Sequence, residues 1–329
     1  MKPIIPFALL GALFAVGSAS ANNTDPVGYL TLGNTTALPD LPNNTDILVS
    51  VSLVQPTEFS GEVDSVASQV ITVSGTPGWA DDQWLPVDPA TDDPYVITSD
   101  SGVLGLIVDN DGNTVTIDGA FDISSLAATD GLVIRKATTL QNFFAGNTVP
   151  SGLEVQLQSG SGVGTNLAFD VIYTNFGTWF DAGFGAADTA VLYPGEAFII
   201  RNTTGSDMGS LVVTGEVQLQ NSSALLAGGA GQQDTPFGYT SPVGETLADA
   251  GLVGASGDEL LEYDNTATGI NKAAAAVYTS FGGAEWFDAG FTDVKDTLEL
   301  GSGNGFVYRR AAGAGDYDFS DQPNFVPTL

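Results

Sequence analysis

Residues 173–184 are Tyr173-Thr-Asn-Phe-Gly-Thr-Trp-Phe-Asp-Ala-Gly-Phe184, and residues 278–291 repeat them as Tyr278-Thr-Ser-Phe-Gly-Gly-Ala-Glu-Trp-Phe-Asp-Ala-Gly-Phe291. The second copy has extra residues before its tryptophan, as a longer hairpin loop would. The similarity continues downstream, where Phe198-Ile-Ile-Arg201 corresponds to Phe306-Val-Tyr-Arg309. Aromatic and β-branched runs broken by glycine-containing turns predict β-hairpins. We therefore predict two related β modules in the C-terminal half.

Short apolar or alternating runs recur elsewhere, separated by turns rich in Gly, Asn, Asp and Pro. They lie at residues 47–53, 68–74, 105–108, 114–117, 132–134, 197–200 and 211–213. This spacing is typical of all-β folds. We predict an all-β chain of antiparallel β-sandwich or barrel-like modules with an internal duplication in the C-terminal half. The pattern leaves sandwich and barrel open, and it favours only one short helix, at residues 245–252.

Composition shifts suggest where the modules begin and end. Residues 221–256 are rich in Ala, Gly, Ser and Thr, which is typical of a connector. The two C-terminal modules are candidates for packing as one pseudo-symmetric body. The predicted organisation is a signal peptide (1–21), an N-terminal β module (22–147), β repeat 1 (148–220), an Ala/Gly-rich connector (221–256), and β repeat 2 with the C-terminal tail (257–329).

The N-terminus predicts export. Lys2 precedes a short apolar run that ends in Ala19-Ser20-Ala21, the small-x-small pattern at which signal peptidase cleaves. The run is shorter than the ~20 apolar residues that span a bilayer. We expect the mature chain to lie outside the cell or on its surface, with the periplasm as the alternative. We expect no membrane-spanning segment after the signal is removed.

The chain is strongly acidic, with 39 Asp and Glu, 8 Lys and Arg, and a net charge of −31. Nucleic acid and anionic lipid bind through cationic side chains, so neither is an expected partner. Solvation in saline water, divalent-cation binding and colloidal solubility are all compatible with this charge. We favour solvation.

The chain has no histidine and no cysteine. The Ser-His-Asp triad, thiol catalysis, His-ligated zinc and haem, and thiolate clusters are therefore excluded. Paired carboxylates remain open for glycoside hydrolysis. No carboxylate stands in a distinctive motif, so we assign no catalytic residue and expect the protein not to be an enzyme.

Calcium is the candidate cofactor, because hard cations take carboxylate and amide oxygens. Residues 109–113 form an Asp-Asn-Asp-Gly-Asn turn without the distal glutamate of an EF-hand, and residues 316–321 form a second acidic cluster. Solvated turns are the alternative. The candidate ligands are Asp109, Asp111, Asn113, Asp316, Asp318 and Asp321.

Tryptophans are candidates for stacking on sugar rings. The alternative is that they belong to the core. Since neighbouring strand residues point to opposite faces, one member of each Trp-Phe pair should be buried and the other is free to be exposed, with burial of both through a bulge as the alternative. The candidate sugar-binding residues are Trp79, Trp84, Trp179 and Trp286.

Arginines end the repeated strands in a chain with few cations. A strand-end guanidinium can bind a carboxylate through two hydrogen bonds. We predict structural ion pairs that join Arg201 and Arg309 to Asp181 and Asp288, which occupy matching positions in the two copies. A role in holding a ligand is the alternative.

Several segments carry a resemblance to a known family. They are Asp25–Tyr29, Val73–Trp79, Gly257–Asn265, Gly269–Lys272 and Gly303–Arg309. Over most of the mature chain the sequence resembles a paralogous family of secreted verrucomicrobial proteins of unassigned function. The resemblance implies secretion and no mechanism. Family members commonly have a basic or aromatic residue after the tryptophan where this chain has Phe287-Asp288, so no site is carried over.

Three functions follow from these observations. The leading hypothesis is a non-catalytic extracellular or cell-surface β protein with a structural, adhesive or self-assembling role. The second is a carbohydrate-binding protein that uses exposed tryptophans, and the third is a carboxylate-dependent glycoside hydrolase. The expected partners are the protein itself or an extracellular polysaccharide.

Overall fold

A computed structural model of the chain describes residues 26–32, 40–159 and 163–321. The predicted signal peptide lies outside these residues. The elements are β1 (Val27–Leu32), β2 (Thr45–Ser50), β3 (Thr57–Ala67), β4 (Val70–Val73), β5 (Tyr95–Ser99), β6 (Leu104–Asp111), β7 (Thr114–Ile117), β8 (Gly131–Lys136), α1 (Leu140–Phe143), β9 (Glu154–Leu157), β10 (Val171–Asn175), β11 (Trp179–Asp181), β12 (Ala197–Asn202), β13 (Leu211–Glu216), β14 (Ser222–Leu226), β15 (Gln233–Gly238), β16 (Glu245–Thr246), β17 (Gly254–Glu262), β18 (Ala276–Gly283), β19 (Trp286–Phe287), β20 (Glu299–Leu300), β21 (Gly305–Arg310) and β22 (Tyr317–Asp321).

The prediction of an all-β, antiparallel fold is confirmed, and the described residues contain both packed sheets and a closed barrel. No helix in the described ranges is long and apolar enough to cross a membrane.

Two five-stranded sheets carry the two similar sequences. The first has the order β11-β10-β9-β12-β2, and the second has the order β19-β18-β17-β21-β15. The repeated hairpins, β10-β11 and β18-β19, each form the outer edge of their sheet. Two-stranded ribbons, β1-β13 and β14-β22, accompany the two sheets. The same sequence pattern therefore forms the same strand order twice, while an origin by duplication stays a prediction.

A six-stranded barrel interrupts the first of these units. Its strands close in the order β3-β4-β7-β6-β5-β8, around a core that includes Trp79, Trp84, Ile97 and Val115. The barrel lies within residues 51–139, which connect β2 to α1. In the second unit, residues 239–244 alone connect β15 to β16. The barrel is thus an insertion in one connection of the first unit.

The predicted N-terminal module, residues 22–147, is therefore wrong at its start. Strand β2 lies in the first sheet beside β12, and β1 pairs with β13. Only the barrel is a separate N-terminal body. The sequence pattern shows strands but not their partners, and the partners of β1 and β2 lie far along the chain.

The predicted connector, residues 221–256, is also wrong, because it contains β14, β15, β16 and the start of β17. Two of its glycines serve close packing. A Cβ added to Gly238 would overlap Ser50 of the first sheet, and one added to Gly254 would overlap Ser280. Small residues thus mark tight contacts between strands here.

The helix predicted at residues 245–252 is wrong as well. The segment begins as β16 and continues as a turn through Gly251, whose φ is 66°. The matching segment of the first unit does hold α1: Leu140 donates its backbone N–H to Ala190, as Leu247 does to Leu298. A helix of one turn is stabilised by its tertiary contacts, so the local sequence pattern does not show which of the two segments is helical.

Each five-stranded sheet buries one face in its own core and packs its other face on the other sheet. The first core contains Trp179 and Phe198, and the second contains Trp286 and Tyr308. The layer between the sheets is centred on Leu48, Ala197, Leu261 and Val307. Because side chains alternate along a strand, the two faces of each sheet are both apolar at their centre.

Glycine at position 305 is required for the contact between the sheets. A Cβ there would lie 2.7 Å from Ala197 Cβ and 2.8 Å from Leu48 Cγ. We predict that Gly305→Ala lowers the free energy of unfolding by about 1–3 kcal/mol through overpacking. The control, Gly209→Ala, meets nothing within 4 Å and should change it by less than about 0.5 kcal/mol. Equal urea-unfolding midpoints for both variants would contradict the packing described.

Candidate functional site

One row of side chains crosses the first sheet from edge to edge. Strand register aligns Asp46 with Arg201, Arg201 with Glu154, Glu154 with Thr174, and Thr174 with Phe180. Residues directly opposite one another on antiparallel strands share a face, so all five side chains lie on one face. The centre of this face packs against the second sheet.

The second sheet has the same row. Its members, in the same strand order, are Asp234, Arg309, Glu259, Thr279 and Phe287. The residue types agree at all five positions. Each row has an ion pair at one end and, at the other, a phenylalanine in the repeated hairpin.

The arginines bind aspartates across the sheet. Arg201 donates from Nε and Nη2 to the two carboxylate oxygens of Asp46, at 2.8 and 2.7 Å. Arg309 does the same to Asp234, at 2.6 and 3.0 Å, and Nη1 lies 3.2 Å from Glu259 Oε2. These hydrogen bonds raise the pKa of both guanidinium groups. Both arginines therefore form structural ion pairs, as predicted, but their partners are Asp46 and Asp234.

The predicted partners, Asp181 and Asp288, are wrong. Asp181 Oδ1 accepts hydrogen bonds from the N–H groups of Gly183 (2.8 Å) and Gly185 (2.7 Å). Asp288 Oδ1 accepts from Gly290 and Thr292, both at 3.1 Å, and the backbone bond from Thr292 lowers the Asp288 pKa. A short carboxylate that follows a strand is satisfied by its own turn before it can reach across a sheet.

Each ion pair is completed by an asparagine that belongs to the other unit. Asn271, from the β17-β18 connection, donates its backbone N–H to Asp46 (2.7 Å) and accepts from Arg201 (2.6 Å). Asn166, from the β9-β10 connection, makes the matching contacts with Asp234 (2.6 Å) and Arg309 (3.4 Å). We call each set of Arg, Asp and Asn a clasp.

The clasps also use backbone conformations that suit their residues. Asn166 and Asn271 have φ of 54° and 51°, in the left-handed region that asparagine tolerates. Two residues earlier, the carbonyl oxygens of Gly164 and Gly269 accept from the N–H of Asp234 and Asp46, each at 2.9 Å. The loops therefore hold the edge strands β15 and β2 as well as their ion pairs.

Removing a clasp arginine should be costly, because its aspartate is then buried without a cation. We predict that Arg309→Met lowers the free energy of unfolding by about 3 kcal/mol, as measured by urea unfolding. The control is Lys295→Met, which removes an exposed ion pair of 3.5 Å with Asp293 and should cost less than about 1 kcal/mol. Equal losses for the two variants would show that the clasp adds nothing beyond a surface pair.

The four candidate sugar-binding tryptophans are buried: Trp79 is 8% exposed, Trp84 4%, Trp179 3% and Trp286 0%. Trp79 and Trp84 pack edge to face in the barrel core, and Trp286 donates its indole N–H to the Leu252 carbonyl (2.9 Å). Sugar stacking on these rings is therefore wrong. The prediction that each Trp-Phe pair divides between faces is confirmed, since Phe180 and Phe287 are half-buried on the opposite face.

Phenylalanines take the exposed positions instead. In the first hairpin the Phe176 ring lies 6.2 Å from Phe180 and 6.3 Å from Phe184. In the second hairpin, Phe281 lies 5.3 Å from Phe287 and 5.2 Å from Phe291. We call these two clusters the first and second phenylalanine knobs. Their outer rings are exposed by 52% and 74% (Phe176, Phe184) and by 55% and 56% (Phe281, Phe291).

The end of each hairpin turn fixes one ring of its knob. Phe184 and Phe291 donate their N–H groups to the carbonyls of Asp181 (3.0 Å) and Asp288 (2.9 Å). Their φ values are 61° and 53°. A bulky residue in this region is rare, and the conformation costs on the order of 1–3 kcal/mol. Glycine or asparagine would suit the turn better, so the backbone alone does not explain phenylalanine at both positions.

The candidate calcium ligands do not gather into a metal-binding group within the described part of the chain. Asp109 and Asp111 are exposed on β6, and Asn113 donates to the Val73 carbonyl (3.3 Å). Asp316 accepts from the Gly228 N–H (2.8 Å). Asp318 lies in β22, and Asp321 ends that strand. Calcium binding stays a prediction.

One residue within the first acidic turn has a role that the sequence analysis missed. Asn110 is 1% exposed. Its Oδ1 accepts a hydrogen bond from the backbone N–H of Trp84 (2.7 Å), and its Nδ2 donates to the Ala80 carbonyl (2.9 Å). It holds the Trp79–Trp84 segment against the barrel.

No protein-family model matches the chain, and no curated protein or solved structure matches it. The resemblance to secreted verrucomicrobial proteins stays a prediction.

Proposed function

We propose that this is a non-catalytic extracellular or cell-surface β protein with an adhesive and structural role, and that the two phenylalanine knobs are its binding surfaces. The N-terminal apolar run and the Ala19-Ser20-Ala21 pattern support export. The observation that carries the proposal is the exposure of the same phenylalanines in both hairpins, with one of each set at positive φ.

Exposed apolar clusters need an explanation, because a surface position tolerates polar residues. The large exposed aromatic residues in the described ranges are Tyr29 and four rings of the knobs, Phe176, Phe184, Phe281 and Phe291. Burying one phenylalanine side chain contributes about 1.5–3 kcal/mol. Two exposed rings that pack beside a half-buried one, partly in a strained backbone, mark an interaction surface.

The sheets provide the rigid support that a binding surface needs. Each knob lies at the end of a row of five side chains that crosses its sheet, and Trp179 and Trp286 anchor the same hairpins in the cores. Their backbone N–H groups donate to Asp188 (2.8 Å) and Asp296 (3.1 Å). The hairpins are therefore held from behind while their phenylalanines face outward.

Carbohydrate binding is the second candidate, moved from the tryptophans to the phenylalanines. The planes of Phe176 and Phe184 differ by only 18°, as a flat stacking surface requires. In the second knob, however, Phe281 is inclined by 64° to Phe287 and by 59° to Phe291. Phenylalanine also lacks the N–H or O–H with which Trp and Tyr bind polar ligands. An apolar partner therefore fits both knobs better.

The test uses the mature chain, residues 22–329, and the double variant Phe184→Asn and Phe291→Asn. Asparagine accepts positive φ, so the variant should keep or raise its melting temperature. We predict that the loss of two rings weakens adsorption to an octyl-coated sensor at least about tenfold. Tyr29→Asn, which removes an exposed ring outside the knobs, is the matched control and should adsorb like the wild type.

Two results would contradict the proposal. Unchanged adsorption of the double variant would show that the knobs are not the binding surface. Knob-dependent retention on insoluble cellulose, together with no adsorption to octyl groups, would replace adhesion to apolar surfaces by carbohydrate binding.

A further inference from the structure

We propose that a second copy of this chain covers the knobs, so that knob-to-knob contacts join the molecules end to end. This inference rests on the proposed function, since it names the partner of the same surfaces. It is carried by three features: the continuity of the knobs with the packing between the sheets, the geometry of the rings, and the presence of two matching knobs on each molecule.

The knobs lie on the face of each sheet that, near its centre, packs against the other sheet. Ile199 and Leu48 lie two residues from Arg201 and Asp46 on their strands, and they pack in the layer between the sheets. In the second sheet, Val277 packs in that layer and lies two residues before Thr279, which pairs with Phe287. Alternation along a strand therefore places the knobs on the face by which the two sheets pack together. The partner of this face inside the chain is the matching face of the other unit.

Ring geometry favours an apolar partner that interdigitates. In the second knob the Phe281 ring is inclined by 64° to Phe287 and by 59° to Phe291, and none of the three rings carries a polar atom. Inclined rings prefer edge-to-face contacts with further rings at centroid distances of about 4.5–7 Å. Another knob offers such rings, whereas a flat sugar face does not.

The negative charge of the protein excludes anionic binding partners and makes self-association dependent on salt. The net charge is −31, and Asp181, Glu285 and Asp288 lie exposed or half-buried beside the knobs. Anionic lipid is repelled by such a surface. Two copies also repel each other, so their association should strengthen as salt screens the carboxylates. A cationic partner would show the opposite dependence on salt.

A single contact between two knobs should be weak, and a larger assembly should depend on several such contacts. A fully exposed phenylalanine offers about 150–250 Å², and the outer rings of the knobs are 52–74% exposed, so two knobs together bury on the order of 500 Å², less than a standard specific interface. Each molecule carries two knobs, and a divalent molecule forms open chains unless its geometry closes them. Assembly should therefore depend steeply on protein concentration.

Sedimentation velocity over a wide concentration range tests the inference with residues 22–329. The comparison is between about 0.1 M and about 1 M NaCl, where the Debye length falls from about 10 Å to about 3 Å. We expect the wild type and Tyr29→Asn to form growing oligomers that increase with salt. The single variants Phe184→Asn and Phe291→Asn keep one intact knob, so they should stop at about twice the monomer mass. The double variant should remain monomeric.

The outcomes separate this inference from the proposed function. A monomeric wild type at high salt would overturn self-pairing, while knob-dependent adsorption to the octyl surface would leave the adhesive function standing. Oligomers of unchanged size in the double variant would also overturn it. A monomeric wild type whose knobs bind phosphatidylcholine vesicles would assign the surface to neutral lipid instead.

Discussion

The arginine clasps are the constraint on which the paired sheets depend. Asp46 and Asp234 have side chains that are 6% exposed, and a carboxylate so placed is costly unless a cation and further donors satisfy it. Arginine supplies two hydrogen bonds from the same sheet, and an asparagine N–H from the other unit supplies a third. Neither ion pair is complete while its sheet is alone. The two sheets therefore stabilise each other reciprocally, and this holds their shared faces in one alignment.

The same register connects this packing to the proposed function. Each clasp begins a row that passes through Glu and Thr and ends at Phe180 or Phe287 in the knob. A shift of one residue on one of these strands would turn that strand's member of the row to the wrong face. The burial of the clasps and of Trp179 and Trp286 thus determines which rings remain outside. The register accounts for the face on which Phe180 and Phe287 lie, and the exposed rings of Phe176 and Phe281 lie against them.

Local pattern was sufficient for much of the fold. Strand spacing predicted the all-β class, and alternation predicted that Trp-Phe neighbours divide between the two faces of a strand. The partner of Arg201 could not be found in this way, because Asp46 lies 155 residues away and the barrel is inserted between them. Two signals were present and unused. The Asp-Ala-Gly sequence at residues 181–183 indicates a carboxylate that caps its own turn. The Gly-x-Asn segments 164–166 and 269–271 stand at the same distance before Tyr173 and Tyr278, which marks them as matching loops.

Hydrogen–deuterium exchange of the clasp variants tests the reciprocal arrangement most directly. We expect a crossed result: Arg201→Met deprotects the loop around Asn271, which belongs to the second unit, and Arg309→Met deprotects the loop around Asn166, which belongs to the first. Each variant should leave the other loop protected. If each substitution instead deprotects only the loop of its own unit, the two sheets are not held by exchanged contacts, and the shared alignment of their faces has another cause.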